Sequence, residues 1–247
     1  MARSGFKDHF SRQAAEYARF RPRYPKELFG WLGSVAPGNE LAWDCATGNG
    51  QAAVELAEVF ERVIATDASE EQIANAAAHP RVEYRMATAE QSGLEPATVD
   101  LVTVAQALHW FDRDRFYGEI RRVLKPRGVL AAWAYTLAKI SPQVDALVNH
   151  YYSEIVGPFW PPERALVEKF DEIPFPFAAV QTPSFEMAAE WSVGELLGYL
   201  RTWSATQRFV AAKGRDPLEE VEQDLRAAWG NQPRRVTWPL TVRAGLL

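Results

Sequence analysis

The sequence predicts an α/β fold: a Rossmann-like, doubly wound, mostly parallel seven-stranded sheet with helices on both faces, plus a helical lid or insert. Three observations predict it. Short apolar runs alternate with helical periods between residues 40 and 134, as in βαβ units. A glycine-rich turn, Thr47-Gly48-Asn49-Gly50, lies between the first apolar run and its helix. An acidic residue, Asp67, ends the second run, 19 residues after Gly48.

The elements follow in order. Glu40 to Asp44 reads as a first buried strand, and Gln51 to Phe60 as the helix after the glycine turn. Arg62 to Asp67 is a second strand. The helix from Glu70 to Ala78 stops ahead of Pro80, because a proline disfavours helical geometry in the residue before it. Val82 to Ala87 and Val99 to Ala107 read as the third and fourth strands. Phe116, Ile120, Val123 and Leu124 share one face of a helix from Asp112 to Lys125. Pro126 and Gly128 are expected to close that helix, with a fifth strand over Val129 to Ala134. From 136 to 178 the chain turns helical, aromatic and proline-broken. A strand near Phe185, helices over Val193–Trp203 and Pro217–Trp229, and a last strand over Arg235–Arg243 complete it. The expected organisation is an N-terminal helical lid over 1–35, a cofactor-binding core over 36–135, a helical insert or substrate lid over 136–178, and the remainder of the core over 179–247.

Composition narrows the function. The chain has 247 residues, 47% apolar and 24% charged, enough for one large α/β domain or a core with an insert. Lys plus Arg number 27 against 32 Asp plus Glu, a net charge of −5, which argues against a nucleic-acid partner. No apolar run approaches the ~18 residues of a membrane span, so no membrane partner is expected. Met1 to Asp8 contains no apolar stretch of signal-peptide type, and a cytoplasmic location is expected. A single cysteine, Cys45, excludes an internal disulfide framework and a thiolate zinc cage, and no metal is expected.

Gly48-Asn49-Gly50-Gln51-Ala52-Ala53 fits G-x-G-x-x-A between a strand and a helix, and Asp67 stands where a carboxylate can accept both ribose hydroxyls of an adenosine. Asp44 bears on which adenosine compound binds. A carboxylate ahead of the glycines repels a dinucleotide's pyrophosphate but favours S-adenosylmethionine, which has no phosphate and carries a sulfonium and an ammonium. Two alternatives stay open: an NAD-dependent oxidoreductase, and a non-catalytic cofactor-binding or interaction protein.

Asp44-Cys45-Ala46-Thr47-Gly48-Asn49-Gly50 resembles the D-x-G-x-G-x-G motif of class I S-adenosylmethionine-dependent methyltransferases. Asp67-Ala68-Ser69 resembles the D-x-S after their second strand, and Ala87-Thr88-Ala89-Glu90 stands where relatives carry G-D-A-E. Val104 to Phe111, Glu119 to Gly128 and Ser11 to Pro25 are similar to motifs of the type 11 family and its trans-aconitate-type small-molecule subgroup. Ala46 stands in place of the motif's first glycine, and Gln72 and Thr88 in place of an apolar residue and an aspartate.

The resemblance implies S-adenosylmethionine as cofactor, S-adenosylhomocysteine as product and a small-molecule acceptor, with an organic acid as the candidate. It implies that Asp44 and the backbone of Ala46 and Gly48 hold the methionine part and that Asp67 takes the ribose. Thr88, Ala89 and Glu90 then lie beside the adenine, with Gln106 and Ala107 near the sulfonium. Gly50, Ala68, Gln72 and Tyr17 complete the expected cofactor set.

Residues 1–26 are basic in an acidic chain, either a solvated helix face or a lid whose arginines grip carboxylates. Arg21 is the candidate for the cofactor's carboxylate or an acidic substrate. His109, after the fourth strand, is either a general base or a residue that positions the cofactor. Tyr24, Trp110, Phe111, Trp133 and Tyr135 are candidates for the acceptor wall. A monomer or a homodimer is compatible with this reading.

Overall fold

The computed structural model describes Phe20 and residues 22–247, so Tyr17, Arg21 and most of the expected N-terminal lid lie outside the described residues. The first half comprises α1 (Lys26–Val35), β1 (Leu41–Cys45), α2 (Gln51–Leu56), β2 (Arg62–Asp67), α3 (Glu70–Ala74), β3 (Val82–Met86), β4 (Val99–Ala105), α4 (Arg113–Val123) and β5 (Leu124–Tyr135). It is followed by α5 (Pro142–His150), α6 (Ala165–Glu168), β6 (Ala178–Ala179), β7 (Phe185–Trp191), α7 (Val193–Arg201), α8 (Ser204–Lys213), α9 (Glu222–Trp229) and β8 (Arg234–Leu246).

The strands lie in the order β3-β2-β1-β4-β5-β8-β6, with β7 paired to β8 off that path. The first five are parallel, and β8 runs antiparallel to both β5 and β6. From β1 the chain winds outward through β2 to β3, then restarts at β4 on the other side of β1. The switch point therefore falls between β1 and β4, and the crevice beyond their carboxyl ends is where such sheets take ligands.

The described chain divides into two compact units. The larger comprises Arg23–Thr136, Ala165–Glu186 and Pro239–Leu247. Its strands are buried on both faces, as their nearly unbroken apolar sequences require. Trp43 on β1 meets Phe116 of α4 edge to face at 6.4 Å on one side, and Trp133 on β5 meets Phe29 of α1 at 6.3 Å on the other. α4 forms because Phe116, Tyr117, Ile120 and Val123 bury one face, while the Asp112 carboxylate caps its start by accepting from the Arg115 amide.

Strand five corrects the sequence expectation. Pro126 and Gly128 do not separate a helix from a strand. β5 begins at Leu124, paired to Val99, and resumes register with Val129 opposite Leu101. The residues between bulge outward around Arg127, whose φ is 65°, and a proline is tolerated there because the bulge leaves the ladder. The predicted helix over Pro217–Trp229 is likewise divided into a 3₁₀ turn at Pro217–Glu220 and then α9.

At the amino ends of the strands the buried Asp100 carboxylate accepts from the Glu40 and Leu41 amides at 3.1 and 2.9 Å and pairs with Lys125 at 2.9 Å. Glu119 accepts from the Ser92 amide and hydroxyl and from Arg122, and these partners hold its carboxyl down at about 2. The Glu119, Arg122 and Lys125 of the motif after the fourth strand thus tie the fold together rather than face the crevice.

Residues 170–178 form a strap on the larger unit. The Tyr117 hydroxyl donates to the Pro174 carbonyl at 2.5 Å, and Arg243 donates to the carbonyls of Phe170 and Ile173 while its guanidinium lies 4.8 Å from the centre of the Phe175 ring. The smaller unit contains Leu137–Arg164 and Met187–Trp238. Its interior is aromatic: Trp238 packs 4.7 Å from Trp191, and Trp203 packs against Tyr151, Trp160 and Tyr199. Among the described residues no helix is long and apolar enough to cross a membrane.

Candidate active site

The loop after β1 begins with strain. Ala46 stands at φ 55°, in the left-handed region that an L side chain disfavours, and Gly48 and Gly50 follow at 57° and 86°. Three left-handed positions in five residues turn the chain sharply from the strand into α2. Thr47 donates its amide to the Thr66 carbonyl on β2 at 2.9 Å, and Gly48 donates its amide to the Asp67 carboxylate at 2.9 Å. The second Asp67 oxygen accepts from the Ser69 amide at 2.9 Å. Asp67 therefore clamps two loops together, and each of its oxygens retains a lone pair for a further donor.

Asp44 is fully buried. Strand register places it opposite Thr103, whose hydroxyl donates to Oδ1 at 2.7 Å, and Thr47 donates to Oδ2 at 2.5 Å. Burial raises its carboxyl to about 6 against these hydroxyls and the Ala53 amide, which pull it down. Asp44 thus acts here as an internal tether for the loop, and its charge is felt through a low-dielectric interior. Cys45 points into the core, where burial and then the Asp44 charge push its thiol well above its usual range, a packing residue and not a nucleophile.

The end of β4 mirrors the end of β1. Gln106 stands at φ 59°, donates its amide to the Trp133 carbonyl at 2.9 Å and its side-chain amide to the Tyr135 carbonyl at 3.4 Å. Ala107 is buried, and His109 follows in the 3₁₀ turn Leu108–Trp110, 8% exposed with its ring 4.7 Å from that of Trp110. Trp110 is 52% exposed, whereas Phe111 turns inward against Phe116 at 4.8 Å. After β3, Thr88 is exposed and Ala89 buried, and Glu90 accepts from the Asp112 amide at 3.1 Å. Gln72 lies in the first turn of α3, its amide bound to the Ser69 cap, with its side-chain oxygen over Gly48; Ala68 is exposed beside it.

The structure thus places Asp44 and Asp67 at the ends of β1 and β2, Gln72 in the first turn of α3, and Ala46, Gly48, Gly50, Ala68, Thr88, Ala89, Glu90, Gln106, Ala107 and His109 in the segments that follow β1 to β4. The expected acceptor wall is not uniformly exposed. Trp133 is fully buried behind Tyr24, with the two rings edge to face at 5.5 Å, and Tyr135 is 7% exposed, so Trp133 is a core residue here. Tyr24 and Trp110 keep accessible surface. Thr47 and Ser69, which the sequence motifs contain without a site role, also shape the site, as do Thr103 and Tyr84, which sequence reasoning missed. A threonine inside the apolar run Leu101-Val102-Thr103-Val104 is the signal that could have found Thr103, since a polar residue in a buried strand needs a partner.

The chemistry of these loops tests what cofactor they fit. Residues 44–50, 66–72, 87–91 and 105–111 include Asp44, Asp67, Glu70, Glu71 and Glu90 and no lysine or arginine. Such loops offer acceptors and negative potential, which suit a phosphate-free, cationic nucleoside and oppose a pyrophosphate. Among the described residues no group of three or more His, Cys, Asp or Glu side chains could hold a metal ion.

A doubly wound sheet with a glycine loop after β1 and an acid ending β2 defines a Rossmann-like fold. Residues 43–132 match the methyltransferase domain family. A Dictyostelium discoideum protein described as a methyltransferase is 37% identical over 229 residues, covering 91% of this chain and 87% of its own. The solved structure of an Anaeromyxobacter dehalogenans protein described as a type II methyltransferase is 50% identical. It covers 92% of this chain and 97% of its own, with a TM-score of 0.85. YcgJ from Bacillus subtilis, 18% identical, covers 89% of this chain and 97% of its own at a TM-score of 0.51, a likeness of fold. The chain belongs to the methyltransferase family, and it is an S-adenosylmethionine-dependent enzyme.

Proposed function

We propose that the chain methylates a small-molecule carboxylic acid of the trans-aconitate type, with the cofactor held in the loops after β1 to β4. The observation that carries the cofactor placement is the acidic character of those loops around the buried Asp44, which hold no lysine or arginine. When bound, S-adenosylmethionine supplies a methyl group already activated on a sulfonium and leaves as S-adenosylhomocysteine.

The chain's own part is positional. Asp67 accepts the ribose hydroxyls, and Ala68 and Gln72 border them. Ala46, Gly48 and Gly50 bring backbone close to the methionine part because the left-handed turn exposes it. Thr88, Ala89 and Glu90 flank the adenine. Gln106 and Ala107 line the approach to the sulfonium, with His109 behind them. A carboxylate oxygen attacks without losing a proton, so His109 positions and does not need to act as a base; with a phenol or amine acceptor it would take the proton. Tyr24 and Trp110 supply the accessible apolar surface that excludes water, while Phe111 turns inward and Tyr135 is nearly buried. Tyr17 and Arg21, outside the described residues, complete the set as carboxylate and cofactor contacts. The reading supports a small-molecule partner and calls for neither nucleic acid, membrane nor metal.

Thermal unfolding with S-adenosylmethionine, S-adenosylhomocysteine and NAD tests the cofactor, since a ligand at ~100 times its dissociation constant stabilises by roughly 2.7 kcal/mol. A shift with the sulfur compounds alone is expected, and a shift with NAD alone would overturn the reading. An acceptor screen by mass spectrometry, beginning with polycarboxylates, is expected to give a mass gain of one methyl. Turnover of amines or phenols with none of acids would overturn the acceptor class.

A further inference from the structure

Tyr84 lies outside the motifs quoted above, yet its hydroxyl occupies the space left by a missing side chain in the glycine loop. A methyl group on Gly50 would overlap that hydroxyl and reach 2.9 Å from the carbon bearing it. The same hydroxyl donates to the Ala77 carbonyl at 2.7 Å, and the Ala77 amide donates back to the Asn49 carbonyl at 3.0 Å. The phenol rooted in β3 thus ties to residue 77 beyond α3, residue 77 ties in turn to Asn49, and the same hydroxyl fills the space beside Gly50. Burial, followed by the Asp44 charge, pushes the Tyr84 hydroxyl up to about 12, so the donor persists throughout the physiological range.

From this geometry we infer that Tyr84 is a positioning residue that latches the glycine loop, holding Asn49 and Gly50 in the conformation that receives the cofactor. The inference rests on the cofactor placement above. It also explains Gly50 more fully than backbone freedom does. At φ 86° the position favours glycine on conformational grounds, and the phenol makes any side chain there a steric conflict as well.

Tyr84→Phe keeps the ring and removes only the latch. Amide hydrogen exchange on the ligand-free protein is expected to quicken at Asn49–Gln51 and Ala77 in Tyr84→Phe, while β4 and β5 keep wild-type protection. S-adenosylhomocysteine affinity, by calorimetry, is expected to fall about fivefold, in line with the loss of one neutral hydrogen bond. Gly50→Ala is expected to weaken binding less in the Tyr84→Phe background than in wild type, because the strain at φ 86° is common to both and the overlap with the hydroxyl is not. Unchanged exchange at Asn49–Gln51 would overturn the latch, as would uniform quickening across the sheet. Wild-type protein that does not bind S-adenosylhomocysteine would overturn the cofactor placement instead, and the exchange result still decides the latch.

Discussion

Ala46 and Gln106 follow neighbouring strands β1 and β4, and both stand in the left-handed region, at φ 55° and 59°. Neither is glycine, and the two flank the switch point of the sheet. Strained backbone of this kind persists where surrounding structure over-determines it, and it clusters at functional sites. Here the surrounding structure is explicit: the Thr47 amide is held by β2, and the Gln106 amide by the Trp133 carbonyl on β5.

Ala46→Gly removes the strain and, with it, a methyl that packs against the edge of the core. A left-handed alanine is disfavoured by about 1 kcal/mol, so the substitution should raise Tm by roughly 2–4 °C in a chain of this size. Thermal unfolding checks it, and S-adenosylhomocysteine affinity should be kept or improved. A fall in Tm would mean that the Ala46 methyl packs more than it strains.

Asp44 predicts a pH signature. Its carboxyl is raised from 3.8 to about 6 in the fold, chiefly by burial, so the native state binds the extra proton. Its contribution to stability is therefore fully present below pH 3.8 and is lost as pH rises through about 6. Cationic-ligand binding runs the other way, because it favours the ionised form. The affinity for S-adenosylmethionine relative to S-adenosylhomocysteine, which lacks the sulfonium, should rise between pH 5 and 7 in calorimetric titrations. Asp44→Asn should flatten that rise.

Glu119 has the opposite sign. Arg122 and Ser92 hold its carboxyl at about 2 against an ordinary 4.5, so its stabilisation is present above pH 4.5 and is lost as pH falls toward 2. Glu119→Gln should destabilise the protein by about 1–2 kcal/mol at pH 7. Urea unfolding should show the gap to wild type closing below pH 4.5. A gap independent of pH would assign the loss to packing instead.

Gly245 on β8 lies under the strap. A methyl there would crowd the Phe177 Cβ and come within 3.1 Å of the Phe175 ring. Gly245→Ala should cost about 1–3 kcal/mol through overpacking. The loosened strap should show as faster amide exchange at Phe177 and Ala178, with the loops around Asp67 unaffected. Wild-type stability would show that the two phenylalanines can shift without loss.

Much of the larger unit is legible in residue order. Apolar runs at Val63–Ala65 and Leu101–Val104, separated by glycine turns and helical periods, need both faces covered, and only a parallel sheet with helices on its faces supplies that. The placement of Gly48 and Asp67 on that frame follows from local spacing. Other features were illegible because they depend on contacts between residues far apart in the chain. That Pro126 lies in a bulge within a strand depends on the pairing of β5 with β4. That residues 170–178 return to the sheet depends on Tyr117, 57 residues from the carbonyl it binds, and on Arg243, 70 and 73 residues from its two.

The sequence by itself determined the class of fold, the switch-point loop and the acidic set around it, because hydrophobic period, glycine and charge act over a few residues. Only the tertiary structure decided what those residues do to one another. It turned Asp44 inward onto Thr103, made Asp67 a clamp between two loops, buried Trp133 and set Tyr84 against Gly50. Strand register and packing create those pairings, and a register exists only once separate strands have met.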